Sequence, residues 1–334
     1  MSTRVAVLGA GSFGTCLAIL CARGHDVTLW ARDPALASAI NQDRRNPRYL
    51  RDTEIPGRVR ATADLGEALA GREIVICAVP SQGVRAVMDD AGKALARGAI
   101  VVSTIKGIEP GTCFTMHRVL EDVLPPAQHD RIVCLSGPSF AREVAAGKPT
   151  VVTIACREEA HAIAVRDALS CPWFRCYSNT DVVGVELGGA LKNVIALAVG
   201  ISDGLGLGHN ARAALMTRGL TEITRLGVRL GANPLTFLGL SGMGDLVLTC
   251  TGDLSRNRSV GLELGRGRRL EEILAGMSEV AEGVRTTHAA CELADRTGVE
   301  LPIAAMVREV LSGTLAPAAA VEKLMTRRLN SEAL

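Results

Sequence analysis

Residues 5–14 read VAVLGAGSFG, an apolar run that breaks into G-x-G-x-x-G at Gly9, Gly11 and Gly14. Alone, the pattern is weak; its surroundings make it specific. It directly follows the strand-like RVAVLG (4–9) and opens a helix-like stretch from Ser12 to Arg23, which ends at Gly24. A second strand-like run, DVTLWAR, arrives at 26–32. In this setting each glycine has a physical task. Gly9 permits the tight turn, Gly11 lets backbone approach a diphosphate, and Gly14 lets helix and strand pack closely. The diphosphate then rests on the helix N-terminus, where unpaired N–H groups and the helix dipole favour an anion.

Working outward, Pro34 to Gln42 reads as a short helix, and a polar loop with prolines at 47 and 56 follows. Further strand-like runs lie at 73–79 (EIVICAV), 99–105 (AIVVSTI), 131–136 (RIVCLS), 150–156 (TVVTIAC) and 174–178 (FRCYS), with a helix at 157–170. Continuous apolar strands alternating with helices predict a parallel sheet covered on both faces. From about Asp181 the strand blocks vanish, leaving helical patterns separated by Gly- and Pro-containing turns. The expected fold is α/β: an N-terminal Rossmann-type, doubly wound parallel sheet over 1–180, followed by an all-α domain over 181–334. A length of 334 residues fits two domains better than one core.

Composition narrows the partners. The chain is 48% hydrophobic with a formal net charge of +2, so a folded protein is expected, and a nucleic-acid or membrane-surface partner is not. Ten cysteines form no C-x-x-C pair, and none is grouped with histidine at zinc-ligand spacing, so no metal is expected. Several, such as Cys77 and Cys134, sit in strand-like runs and read as free core thiols of a reducing cytosol. MSTRVAVLGAG runs straight into the motif with no room for a signal peptide, and Lys192 interrupts the longest apolar run. A cytoplasmic protein without a membrane span is therefore expected.

The end of the second strand addresses the cofactor. NAD-specific sites place an acid about 20 residues after the fingerprint, on the ribose 2′-hydroxyl. Here the strand tip reads Trp30-Ala31-Arg32-Asp33. Arg32 suits a 2′-phosphate, so NADP is expected alongside NAD. Asp33, standing before Pro34, reads as a helix N-cap rather than a ribose ligand.

A second set of residues carries charge into apolar surroundings. ELGGALKNVIALAVG (186–200) holds Lys192 in an otherwise oily stretch, and a buried amine is costly. Lysine occurs only at 93, 106, 148, 192 and 323, the other 32 of the 37 basic residues being arginine. Of the two, lysine is the one that can release its proton inside a protein. Lys106 in STIKGIEPGT and Gly137, Pro138 and Ser139 in LSGPSFAREV follow strand ends, where open α/β sheets bind ligands. LSGMGDLVLTC holds Asp245 after a Gly-Met-Gly turn, and GDLSRNRSVG gathers Ser255, Arg256, Asn257 and Arg258 as a phosphate or oxyanion cradle. Each has a plainer reading: Lys192 and Lys106 as solvated lysines, Asp245 as a cap, the Ser-Arg-Asn cluster as a surface turn.

Together, GAGSFGT, IKGIE, GPSFA, ELGGALKNVIA with GISDGLGLG, LSGMGDLVLTCTG, SRNR and VAEG resemble, in order, the motifs of bacterial NAD(P)-dependent glycerol-3-phosphate dehydrogenases, from about 9 to 283. The resemblance implies reversible reduction of dihydroxyacetone phosphate to sn-glycerol 3-phosphate, feeding phospholipid synthesis. It implies Lys192 as proton donor and acceptor. Lys106, Gly137, Ser139, Lys192, Asp245, Ser255, Arg256 and Asn257 would line the substrate. Gly9, Gly11, Ser12, Phe13, Gly14, Arg32, Lys106, Ala141, Arg256, Val280 and Glu282 would contact NADP or NAD. For Lys192, burial and Lys106 act to lower the pKa while Asp245 opposes them, which leaves the net direction open. Low aromatic content and a helical second domain permit a homodimer. Two other classes compete: a hydroxyacid or sugar-nucleotide dehydrogenase of the same plan, and a dinucleotide-sensing regulator without turnover.

Overall fold

A computed structural model describes residues 2–277 and 281–328, so Val280 lies outside the described residues. The chain divides into two compact units, one of residues up to 105 with 116–182, the other of 106–115 with 183–334. Residues 106–115 thus fall inside the sequence range expected for the first domain but pack with the helical one.

The first unit contains β1 (Arg4–Leu8), α1 (Ser12–Cys21), β2 (Asp26–Trp30), α2 (Pro34–Asp43), β3 (Val59–Thr62), α3 (Leu65–Leu69), β4 (Ile74–Cys77), α4 (Val84–Gly92) and β5 (Ile100–Ser103). It continues with α5 (Met116–Val123), β6 (Ile132–Ser136), α6 (Ala141–Ala145), β7 (Thr150–Ala155), α7 (Glu159–Leu169) and β8 (Phe174–Asn179). Eight strands form one sheet in the order β3-β2-β1-β4-β5-β6-β7-β8. Every residue of β4 and β5 is buried, as continuous apolar strands between two helical layers must be.

Two features depart from the sequence expectation. β3 was hidden in the polar loop because it is a four-residue edge strand, VRAT, with Arg60 facing solvent. The sheet also has one antiparallel pair, β6 with β7, among parallel neighbours. The reason is the connection. A five-residue helix such as α6 rises only about 7.5 Å, against about 17 Å for the five-residue β6, so it cannot carry the chain back to start a parallel strand. Asp33 caps α2 as expected, its Oδ1 accepting the Ala35 N–H at 2.9 Å with Pro34 in the first turn.

The second unit is helical: α8 (Val182–Gly204), α9 (Gly208–Arg229), α10 (Asp245–Thr251), α11 (Arg256–Gly265), α12 (Leu270–Ala275), α13 (Glu282–Thr297), α14 (Pro302–Leu311) and α15 (Pro317–Met325). Its spine is α8, 23 residues long, with a mean hydropathy of 1.7 over its most apolar window. By length and composition alone this helix qualifies as a membrane span, contrary to the reading that Lys192 breaks the run. However, 94% of that window is buried inside the protein, as for a core helix that is apolar all round.

Helix α11 crosses α8 at van der Waals contact of the two backbones. A Cβ at Gly200 would lie 2.2 Å from the Arg258 carbonyl oxygen, and one at Gly261 would lie 2.2 Å from that of Leu197. Only glycine lets the two helices meet so closely. Elsewhere the buried Glu222 of α9 accepts the Ile303 N–H at 2.7 Å, tying α9 to the first turn of α14. Burial pushes the Glu222 carboxyl up to about 7, against the pull of its backbone amide partners. Residues 106–115 are pinned by Ile108 and Cys113, buried in this core, and by Arg296, which donates to the carbonyls of Gly111 at 2.6 Å and Thr112 at 3.0 Å.

Candidate active site

In the first unit the candidates cluster where parallel strands end. After β1 the chain turns at Gly9 with φ +109°, and a Cβ there would lie 2.8 Å from the Ala78 carbonyl oxygen, just past β4. A Cβ at Gly14 would come within 1.9 Å of the Gly9 carbonyl oxygen, so α1 is seated directly on the turn. Gly11 precedes α1, no side chain caps that helix, and nothing lies within 4 Å of where its Cβ would be. Open space over an uncapped helix N-terminus fits a dinucleotide diphosphate. Ser12 and Phe13 form the first turn of α1, and Phe13 packs partly against the sheet core.

Arg32 is exposed beyond β2, whereas Asp33 is already committed. Its Oδ1 caps α2 and its Oδ2 accepts from Arg48, whose guanidinium holds the carboxyl below its ordinary range. After β6, Gly137 adopts φ +137° against Val152, and Ser139 Oγ donates to the Gly137 carbonyl at 2.9 Å. Ala141 opens α6.

In the second unit, three candidates far apart in sequence meet. Lys192 lies in the middle of α8 and is 6% exposed. Its Nζ donates to Asp245 Oδ1 and, at 2.7 Å, to Thr249 Oγ1. The other carboxylate oxygen of Asp245 accepts from Lys106 Nζ at 2.6 Å. One carboxylate, itself 1% exposed, therefore bridges two lysines. Asp245 is not a cap: it begins α10 directly after a π-helical turn, Leu240–Gly244, which occupies the Gly-Met-Gly stretch.

The electrostatics resolve the competition left open by the sequence. Burial is the largest influence on Lys192 and, with the Lys106 charge, outweighs the attraction of Asp245, bringing the amine down to about 8. Thr249 was missed by sequence reasoning. Its signal was the i, i+4 spacing from Asp245 on one helix face. Its hydroxyl donates to the Asp245 carbonyl at 2.7 Å, so an oxygen lone pair is turned to Lys192.

The SRNR stretch divides by role. Ser255 caps α11, accepting the Arg258 N–H at 3.3 Å. Arg258 is held by Asp203 at 2.9 Å and Asp253 at 3.3 Å, and Asp203 also takes Arg212. Arg256 is exposed at the first position of α11, while Asn257 is buried. Glu282 is half-buried at the first position of α13. A separate cavity of about 750 Å³ is lined by Ser202, Glu222, Ile303 and Met306 and by none of these candidates.

Comparison with known proteins places the chain in a family. The profile described as NAD-dependent glycerol-3-phosphate dehydrogenase N-terminus matches residues 4–162, and the one described as its C-terminus matches 181–322. A glycerol-3-phosphate dehydrogenase [NAD(P)+] of Citrifermentans bemidjiense is 54% identical over 99% of both chains. The chain belongs to the NAD-dependent glycerol-3-phosphate dehydrogenase family. Another member, from Myxococcus xanthus, is 56% identical over 98% of each chain. The crystal structure of the Coxiella burnetii family member superposes with a TM-score of 0.92 at 38% identity, covering 98% of this chain and 99% of that one.

Proposed function

We propose that the chain catalyses the reversible, NAD(P)-dependent reduction of dihydroxyacetone phosphate to sn-glycerol 3-phosphate, with Lys192 as proton donor and acceptor. The observation that carries this reading is the buried Lys192–Asp245–Lys106 bridge, in a chain matched by both family profiles. Residues 1–180 other than 106–115 would form the dinucleotide domain, and 181–334 with 106–115 the substrate and catalytic domain. The dinucleotide supplies hydride when bound. As the family resemblance implies, Gly9, Gly11, Ser12, Phe13, Gly14, Arg32, Lys106, Ala141, Arg256, Val280 and Glu282 would contact it.

As a ketone becomes an alcohol, its oxygen gains charge and needs a proton and electrostatic support together. Lys192 can supply both. With a pKa of about 8 it is mostly protonated at neutral pH, and two of its three protons are held by Asp245 and Thr249, which leaves the third to give. Above about pH 8 the neutral amine is the base that the oxidation direction needs. Asp245 fixes the amine and holds Lys106 beside it, and that second cation keeps the amine's pKa low. The substrate phosphate would meet Arg256, whose guanidinium fork suits a phosphate; Ser255, Asn257, Gly137 and Ser139 are the other proposed substrate contacts.

The test is NADH and NADPH oxidation with dihydroxyacetone phosphate against a panel of 2- and 3-oxoacids. Turnover should be confined to the phosphorylated ketone; turnover of an oxoacid alone would move the chain to the hydroxyacid dehydrogenases, and cofactor binding without any turnover to the regulators. The reaction would feed glycerophospholipid synthesis in the cytoplasm, a setting that fits ten unpaired cysteines, nine of them buried. Size-exclusion chromatography tests the homodimer that the composition permits.

A further inference from the structure

Three of the residues proposed to act at the site are each followed by a residue of one buried hydrogen-bonded chain. Asn193 follows Lys192, Asn257 follows Arg256, and Gly283 follows Glu282. The Gly283 N–H donates to Asn257 Oδ1 at 2.9 Å, and Asn257 Nδ2 donates to Asn193 Oδ1 at 2.9 Å. All three residues are buried. There is no room for more at the third: a Cβ on Gly283 would lie 2.7 Å from both the Asn193 carbonyl oxygen and Asn257 Oδ1.

The direction of this chain follows from its backbone end. An N–H can only donate, so Asn257 must turn its oxygen to Gly283 and therefore its amino group to Asn193. Asn193 must then turn its oxygen to Asn257. One backbone amide orients two side chains, and it links the middle of α8, the first turn of α11 and the first turn of α13. The Asn257 oxygen and one of its two amide N–H groups are thereby engaged within the protein.

We propose that Asn193 is a positioning residue and that Asn257, beside its proposed substrate contact, completes with it an amide clamp that holds Lys192, Arg256 and Glu282 in one fixed geometry. The inference rests on the proposed function for what those three residues do, but not for the existence of the clamp. Its energetic logic is that a buried amide chain is rigid when complete and costly when cut, because the cut leaves an unsatisfied buried donor.

The test combines amide hydrogen exchange at Gly283 with kinetics, taken on whichever ketone of the panel the wild-type chain turns over. A wrong substrate class then fails in the wild type, whereas a wrong clamp fails in the variants. Asn257→Ala should free the Gly283 amide. Asn193→Ala, which never touches Gly283, should still speed its exchange at least about tenfold by releasing Asn257, whereas Asn193→Asp keeps the acceptor and should leave the amide protected. Each alanine variant should lose about ten- to a hundredfold in kcat, as small misplacements of reacting groups do, and the double variant should lose no more than the worse single one. Should an alanine variant fail to fold, the near-isosteric Asn193→Leu removes the acceptor without leaving a cavity, cuts the link to Asn257, and should show the same loss of kcat. The proposal is overturned if Asn193→Ala leaves Gly283 exchange within twofold of wild type, if the folded variants keep kcat within twofold, or if the losses multiply in the double variant.

Discussion

The two units build their candidate sites from different materials. In the first, the backbone does most of the work: a positive-φ turn at Gly9, an uncapped helix start at Gly11, and a helix seated on that turn through Gly14. These positions lie within six residues of one another. In the second, side chains do the work, and the three that meet at the Asp245 carboxylate come from positions 106, 192 and 245. A backbone site tolerates little change of shape but carries no titration. A side-chain site can be tuned by burial and by its neighbours' charges, and the Lys192 amine at about 8 is the result.

The comparison can be broken most forcefully at Lys192. Lys192→Met should leave NADH binding, measured by fluorescence titration, near wild type while turnover falls by about 10²–10⁴, the usual contribution of a positioned proton donor. Near-normal turnover would mean that the second unit is not where the proton moves. Next in size, Arg256→Ala should raise the KM for dihydroxyacetone phosphate by about ten- to a hundredfold, the worth of a charge-assisted hydrogen bond, with a smaller effect on kcat. An unchanged KM would place the phosphate elsewhere.

Asp245→Asn sharpens the electrostatic half of the argument. With Lys192 as the proposed proton donor, the rate of ketone reduction in the wild type should fall as pH rises through about 8, and the oxidation direction should rise over the same range. Asp245 is the group that pulls the pKa up, whereas burial and Lys106 push it down. Without the carboxylate the falling limb of reduction should move to lower pH; a limb that stays in place would show that Lys192 is not the group titrating. The smallest effect belongs to the first unit. Arg32→Ala should weaken NADPH by about tenfold and NADH by much less, because only the former carries a 2′-phosphate for the guanidinium. Equal losses would remove Arg32 from cofactor choice.

Legibility followed the same divide. The strands before Gly9 and Lys106, the Asp33 cap and the glycine turn are readable because each is a local pattern whose physical cause lies within a few residues. β3 is not, since four residues with Arg60 facing out give no apolar run, and the antiparallel β7 is not, since its direction depends on how far α6 can reach. Thr249 lies in LSGMGDLVLTC, but nothing local distinguishes a hydroxyl that faces an amine from one that faces its own helix. Asn193, next to Lys192, carries no local signal because its partner is 64 positions away.

By itself, the sequence determined a doubly wound sheet opening on a dinucleotide turn, a helical second half, and the motifs shared with the family. It did so because backbone conformation and apolar periodicity are dictated by near neighbours. Only the tertiary structure decided that Lys106 packs with the helical unit, that one carboxylate bridges two lysines, and that burial outweighs attraction in setting the Lys192 proton. Those outcomes depend on which distant groups are brought together and how much water is removed around them, and neither is written in any short stretch of chain.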